Sequence, residues 1–174
     1  MEDLDSLREG AAKADGVIHL AFNHDFSQFQ KGCEDDRKAI EAMGEVLVGS
    51  NRPFVVTSPA AVAMSADGKP VTENSPFAPW NPRAASEIAT KALTARGVIT
   101  AVVRLSQVHD THKQGIVTYA VQVAREEGKS AYIGHGSNRW SAAHVSDVAR
   151  LYVWRLRRRS PARSITRSMK RACR

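Results

Sequence analysis

The stretch DLDSLREGAAKADGVIHLAF, Asp3–Phe22, sets the architecture. Leu4, Leu7, Ala11 and Ala14 recur at helical spacing, Gly16 interrupts them, and Val17–Phe22 follows as a short, unbroken apolar run. A run of that kind suits a strand buried on both faces of a parallel sheet; a half-exposed hairpin strand alternates instead. Helix followed directly by buried strand is the unit from which α/β proteins are built.

The unit repeats downstream. Ile40, Met43, Val46 and Leu47 keep the helical period across Glu34–Val48, Gly49-Ser50-Asn51 ends it, and Phe54–Thr57 makes the next strand. Ser65–Pro82 holds four of the seven prolines and predicts a long surface excursion. Ser86–Arg96 returns to helix with Gly97 as its C-cap, and Val98–Leu105 is the most strand-like stretch of the chain. Ile116–Glu127 predicts a helix and Ala131–Ile133 a short strand. Strands separated by helical stretches require crossovers, hence a parallel sheet covered on both faces.

At 174 residues and 43% hydrophobic content the chain is long enough to remove roughly 70% of its unfolded surface from water. It contains no run of eighteen apolar residues and no leader-like segment, which points to a cytoplasmic protein. Cys33 and Cys173 are too few and too far apart for a disulfide framework or a CxxC metal site. The net charge of +7 divides unevenly. Trp154–Arg174 carries eight arginines, one lysine and no acid; setting that +9 aside leaves residues 1–153 at −2, without the electrostatic footprint of a polyanion binder.

Four segments, VIHLAF (Val17–Phe22), PFVVTSPAAV (Pro53–Val62), VITAVVRLSQV (Val98–Val108) and WSAAHVSDVARLYV (Trp140–Val153), follow one another in an order that resembles NAD-dependent epimerase/dehydratase-like proteins. These form the extended and atypical branches of the short-chain dehydrogenase/reductase family. The resemblance covers nearly all of Asp3–Val153. It implies a partial Rossmann-type, doubly wound parallel sheet lacking its first βαβ unit, with a stub of substrate domain, over residues 1–153, and a separate basic tail over residues 154–174. It also implies NAD or NADP as cofactor and a small molecule with a carbonyl or hydroxyl group as substrate.

The family's TGxxGxxG turn, whose glycines let backbone amides approach a diphosphate, does not occur among the eleven glycines. Gly134-His-Gly136 is the nearest grouping; it precedes no predicted helix and has no third glycine. Ala21 and Phe22 match positions that line the adenine side of the cofactor crevice, and are equally well read as buried strand residues. Thr57 and Ser58 fall in the family's serine/threonine cluster, with Pro59 at the usual catalytic serine. Ser58 is the remaining candidate for a hydrogen bond to a substrate or nicotinamide oxygen. Leu105, Ser106 and Val108 match the strand beneath the nicotinamide, Arg139 a substrate-facing position, and Asp147 a helix anchor.

PRAASE (Pro82–Glu87) occupies the place of the family's P-Y-x-x-S-K, with Arg83 where the tyrosine stands and Glu87 where the lysine stands. Neither inherits the chemistry. A guanidinium stays protonated, and a carboxylate raises the pKa of an acid beside it. Arg83, Glu87 and Lys91 read instead as an i, i+4, i+8 charge ladder on a solvated helix face.

No metal site is predicted: His109 and His112 have no third ligand nearby, and the GxSxG elbow of a hydrolase is absent. The tail reads either as a basic arm for nucleic acid or as the product of a shifted reading frame. One frame earlier, permitted codons give LALEEALPGTVYHAVDEEGVP, which continues the helix and resumes a family-like strand. Three functions stay open: a fragment of an NAD(P)-dependent oxidoreductase or epimerase that is itself inactive, a non-catalytic nucleotide-sensing or partner-binding module, and a nucleic-acid binder acting through the tail.

Overall fold

A computed structural model describes residues 2–63, 71–137 and 140–158. Two compact units divide them, residues 2–105 with 152–158, and residues 106–151.

In the first unit α1 (Leu4–Lys13) leads into β1 (Val17–His19), α2 (Phe29–Glu45) into β2 (Pro53–Pro59), and α3 (Ala84–Ala95) into β3 (Ile99–Leu105). The strands are parallel in the order β1-β2-β3, with Val17 opposite Phe54 and Phe54 opposite Thr100. The expected α/β alternation is present. Asp3 starts α1 by accepting a hydrogen bond from the Ser6 amide, and Gly97, at φ +87°, provides the left-handed exit from α3.

The core lies between the sheet and the α2–α3 layer, where Phe54 and Val56 meet Ala39, Ile40, Met43, Ala89 and Leu93. Gly44 allows that packing, since an added Cβ would overlap the Leu93 side chain. The Arg52 guanidinium sits behind the helices. It donates to the carbonyls of Ala11, Ala12 and Ala14 at the end of α1 and to Val46 at the end of α2, so one side chain satisfies the orphan acceptors of two helices.

Several boundaries differ from expectation. β1 ends at His19, so Ala21 and Phe22 lie beyond the strand, Ala21 exposed and Phe22 half-buried. The α2 helix begins at Phe29, ahead of the point where the apolar period declares itself. The excursion over Ser65–Pro82 is described from Val71, where Ala78 donates to the Val62 carbonyl and Phe77 bridges Ala63; residues 64–70 lie outside the described part.

In the second unit β4 (Gln107–His109) pairs in parallel with β5 (Ala142–His144), and α4 spans Val117–Glu127. Ala131–Ile133 is not a strand: it has no ladder partner among the described residues, and Tyr132 and Ile133 are exposed. An apolar triplet without a neighbouring strand has nothing to pair with. α5 (Val145–Arg157) continues past Val153, the last residue before the expected tail, and its Tyr152 and Arg155 are buried. Among the tail residues, those from 159 onward lie outside the described part.

Candidate functional site

At the carboxyl ends of the strands the apolar face turns polar. Phe54, Val56 and Ser58 alternate onto the α2–α3 side of β2, as strand geometry requires. Ser58 is paired in register with Arg104 of β3, whose side chain also reaches α3, and His19 of β1 reaches α2. Three neighbouring strands thus place His19, Ser58 and Arg104 at or next to their carboxyl ends, above the core.

Helices α2 and α3 answer that row with charge. Asp36 is the hub: its Oδ1 accepts from His19 Nε2 at 2.7 Å, and its Oδ2 accepts from Arg83 Nη1 at 2.9 Å and from Ser86 Oγ at 2.5 Å. Burial pushes the Asp36 carboxyl up, but hydrogen bonds from His19 and Ser86 and the charges of Arg83 and His19 outweigh it and hold the group below the ordinary carboxylate range. An ionised carboxylate only accepts, so His19 carries a proton on Nε2. Beside this hub, Glu87 takes a two-pronged bond from Arg104 Nε and Nη2, both at 2.8 Å, and Arg104 Nη1 donates to the Ser75 carbonyl at 2.8 Å.

This corrects the reading of Arg83, Glu87 and Lys91 as a solvated ladder. Arg83 and Glu87 are 7% and 6% exposed and face acidic and basic partners from other elements; only Lys91 lies exposed. The i, i+4 spacing is real, but α3 turns that face toward α2 and the sheet. The two carboxylates and two guanidinia cancel in formal charge, which is the condition for keeping four charges out of water.

Of the expected site residues, Thr57 and Ser58 stand at this junction. Thr57 faces the opposite side of the sheet, donating to the His19 carbonyl at 2.7 Å and accepting from the Tyr152 hydroxyl at 2.6 Å. Burial pushes the Tyr152 phenol up to about 12. The Ser58 hydroxyl is fully buried and has no hydrogen-bond partner among the described residues. Phe22 joins the cluster from its edge, with the Arg83 guanidinium 3.9 Å above its ring. Ala21 is exposed nearby in sequence, and Leu105 is half-buried opposite Pro59.

Ser106 and Val108 belong to the second unit, both half-buried, with Val108 of β4 paired to Ala143 of β5. His109 there meets His144 edge-to-face, ring centroids 6.0 Å apart. Asp147 sits in the first turn of α5, 3.8 Å from Arg150, while the Ser146 amide is met by His144 Nδ1. Arg139 lies outside the described residues.

Sequence reasoning missed Asp36 and His19. The signal for Asp36 was present: Gly32, Cys33, Asp36, Ala39, Ile40 and Met43 share one buried stripe of α2, and a lone acid on such a stripe needs a buried counterion.

A nicotinamide dinucleotide asks for a glycine turn between a strand and a helix N-terminus. Among the described residues one glycine of left-handed φ, Gly115, lies between a strand and a helix, β4 and α4, and it stands there alone; Gly49, Gly97 and Gly128 follow helices, and Gly134 and Gly136 lie in loops of the second unit. A single glycine does not make the several-glycine turn that brings backbone amides onto a diphosphate, so the described residues do not fit that part of the cofactor.

The NAD dependent epimerase/dehydratase family matches residues 1–165. An uncharacterized protein of Schizosaccharomyces pombe is 45% identical over 155 residues, covering 88% of this chain and 52% of its own length. An uncharacterized protein of Saccharomyces cerevisiae is 40% identical over 159 residues, covering 87% and 51%. The chain therefore spans about half the length of the curated relatives it matches. Among solved structures, dTDP-glucose 4,6-dehydratase of Bacillus anthracis in complex with NAD is similar at 16% identity and a TM-score of 0.76, over 97% of this chain and 56% of that one. MoeE5 in complex with UDP-glucose and NAD is similar at 22% identity and a TM-score of 0.71, over 94% and 60%. At these identities the structural likeness establishes a shared Rossmann-type fold.

Proposed function

Because this chain belongs to the NAD dependent epimerase/dehydratase family, we propose that it is one portion of an NAD(P)-linked fold that in intact relatives acts on a carbonyl or hydroxyl of a small molecule such as a nucleotide sugar. On this reading the 174-residue chain by itself is not a catalyst. One observation carries it: Arg83 and Glu87, at the places of the family's tyrosine and lysine, are both committed to buried ion pairs. A proton donor needs a group that changes protonation near working pH, and a paired guanidinium does not.

Ser58 is the group left to hydrogen-bond a substrate or nicotinamide oxygen. By the family resemblance Ala21, Phe22, Thr57, Leu105, Ser106 and Val108 are the cofactor-binding candidates and Arg139 the substrate-binding candidate. A cytoplasmic location is part of the same proposal. Among the described residues no helix is long and apolar enough to cross a membrane. Calorimetric titration of the chain with NAD and NADP tests the reading. Negligible heat is expected, and micromolar affinity for either nucleotide would overturn it.

A second reading, a non-catalytic partner-binding module, is favoured by the exposed apolar side chains of the second unit. It expects capture of a partner whether or not a dinucleotide is added. Nucleic-acid binding through the basic residues 154–174 is the third. It expects retention on DNA or RNA that collapses with salt and vanishes when residues 154–174 are deleted.

A further inference from the structure

We propose that Arg104 is a latch: by holding the Ser75 carbonyl it pins the Val71–Ala78 segment across the strand ends, and the Ser58 hydroxyl is reached only when that hold is released. The ligand group admitted would be a carbonyl or hydroxyl oxygen, so the purpose of the latch rests on the reading of Ser58 given above, although its geometry does not.

The segment is attached at two places among the described residues. Its outgoing end is tied to the chain just after β2, through the Ala78 amide on the Val62 carbonyl at 2.8 Å and the Phe77–Ala63 bridge. Its near end is a tight turn closed on itself, with the Ser75 amide on the Thr72 carbonyl and the Thr72 amide on Ser75 Oγ. Thr72, Glu73 and Asn74 are exposed. Among the described residues, the side chain that connects this turn to the body is Arg104, through Nη1.

Arg104 is suited to hold and to let go. Its Nε and Nη2 donors grip Glu87 in a fork, so the guanidinium stays fixed to α3 and paired with its counterion whether or not Ser75 is present. Opening therefore costs one charge-assisted bond to a carbonyl and strands no buried charge. Ser58, next to Arg104 in register and on the same side of the sheet, is buried with a hydroxyl that has no partner among the described residues. A well-packed core does not normally retain such a group.

The test removes the latch without leaving a lone charge. In Arg104→Met/Glu87→Met both members of the pair become apolar, a change that buried pairs tolerate. Hydrogen exchange is then followed amide by amide. The Ser75 amide, in the turn that Arg104 holds, is expected to exchange about ten- to a hundredfold faster, the ratio for loss of one bond to a charged donor, while Ala78, tied separately to Val62, and Val55 and Val103 in the sheet keep their rates.

Ser58→Cys supplies a second readout. Modification of the introduced thiol by a thiol reagent, measured peptide by peptide against buried Cys33 as reference, is expected to accelerate by a similar factor in the latch-free background. Unchanged exchange at Ser75 overturns the proposal, as does exchange there that rises in step with Val55 and Val103, which would make Arg104 a prop for the whole fold. Faster exchange of the segment with the Ser58→Cys thiol still unreactive overturns the gating of Ser58. Because no nucleotide enters either measurement, failure here is separable from failure of the functional reading.

Discussion

The two units of this chain obey opposite rules of burial. Residues 2–105 with 152–158 hide all of the buried charged groups described, four of them in the Asp36–Arg83 and Glu87–Arg104 pairs, above a core of Phe54, Val56, Ile40 and Leu93. Residues 106–151 bury a single apolar side chain among those described, Ala143, and leave Val117, Tyr119, Val121 and Val123 of α4 exposed along with Tyr132, Ile133 and Trp140. Ion pairs can be buried only where surrounding packing is already dense enough to exclude water and fix their geometry. The described core therefore lies almost wholly in the first unit, and the second buries little apolar surface of its own.

Removing Asp36 strikes hardest at this contrast. Asp36→Ala leaves Arg83 buried without a counterion and takes the acceptor from His19 and Ser86, so a loss of about 3–5 kcal/mol is expected in urea unfolding. Asp36→Ala/Arg83→Met should recover part of it. The pH dependence has a definite sign. A carboxyl held below its unfolded pKa stabilises above that value, and the contribution is lost as the pH falls through the folded pKa. The native chain is therefore expected to weaken below about pH 4, and the Asp36→Ala variant to weaken less over the same range. Equal acid slopes for the two would show that Asp36 is not the hub.

Much of the first unit was legible in the sequence because its signals are periodic. The break at Gly16 after Leu4, Leu7 and Ala11, and the apolar runs at Val17 and Phe54, each correspond to one element of the parallel sheet or its boundary. The cluster above the core was less legible. Arg83 and Glu87 have a spacing that a solvated face and a buried face share, and the choice between them depends on Asp36 and Arg104, which lie 47 and 17 residues away in sequence from the groups they pair with. The second unit misled for a different reason: Ala131–Ile133 has strand composition, but a strand exists only where a neighbour accepts its hydrogen bonds.

A milder test probes the first unit from the other side of the sheet. Tyr152→Phe removes the hydroxyl that donates to Thr57, and a loss of about 1 kcal/mol is expected at neutral pH. Burial raises this phenol from its ordinary value of 10.0 to about 12, so its neutral form stabilises fully below pH 10 and the benefit disappears as the pH rises through the folded value. Alkaline unfolding of the native chain should steepen between those limits, and Tyr152→Phe should flatten it. An unaltered alkaline limb would place the titrating group elsewhere.

The least perturbing substitution is the most direct check on the second unit. Val121 and Val123 are 40% and 55% exposed on a helix with no buried residue. If nothing covers that helix, replacing both with serine withdraws no apolar area from a core and leaves no cavity, so stability in urea should change by no more than about 0.5 kcal/mol. Valine and serine have nearly the same helix propensity, so the exchange adds only about a few tenths of a kcal/mol through the backbone. A loss of about 2 kcal/mol or more would mean that both valines are packed in solution. That result would erase the difference between the units, because it requires α4 to have a partner surface, and the double substitution would then locate it by whether the loss depends on protein concentration.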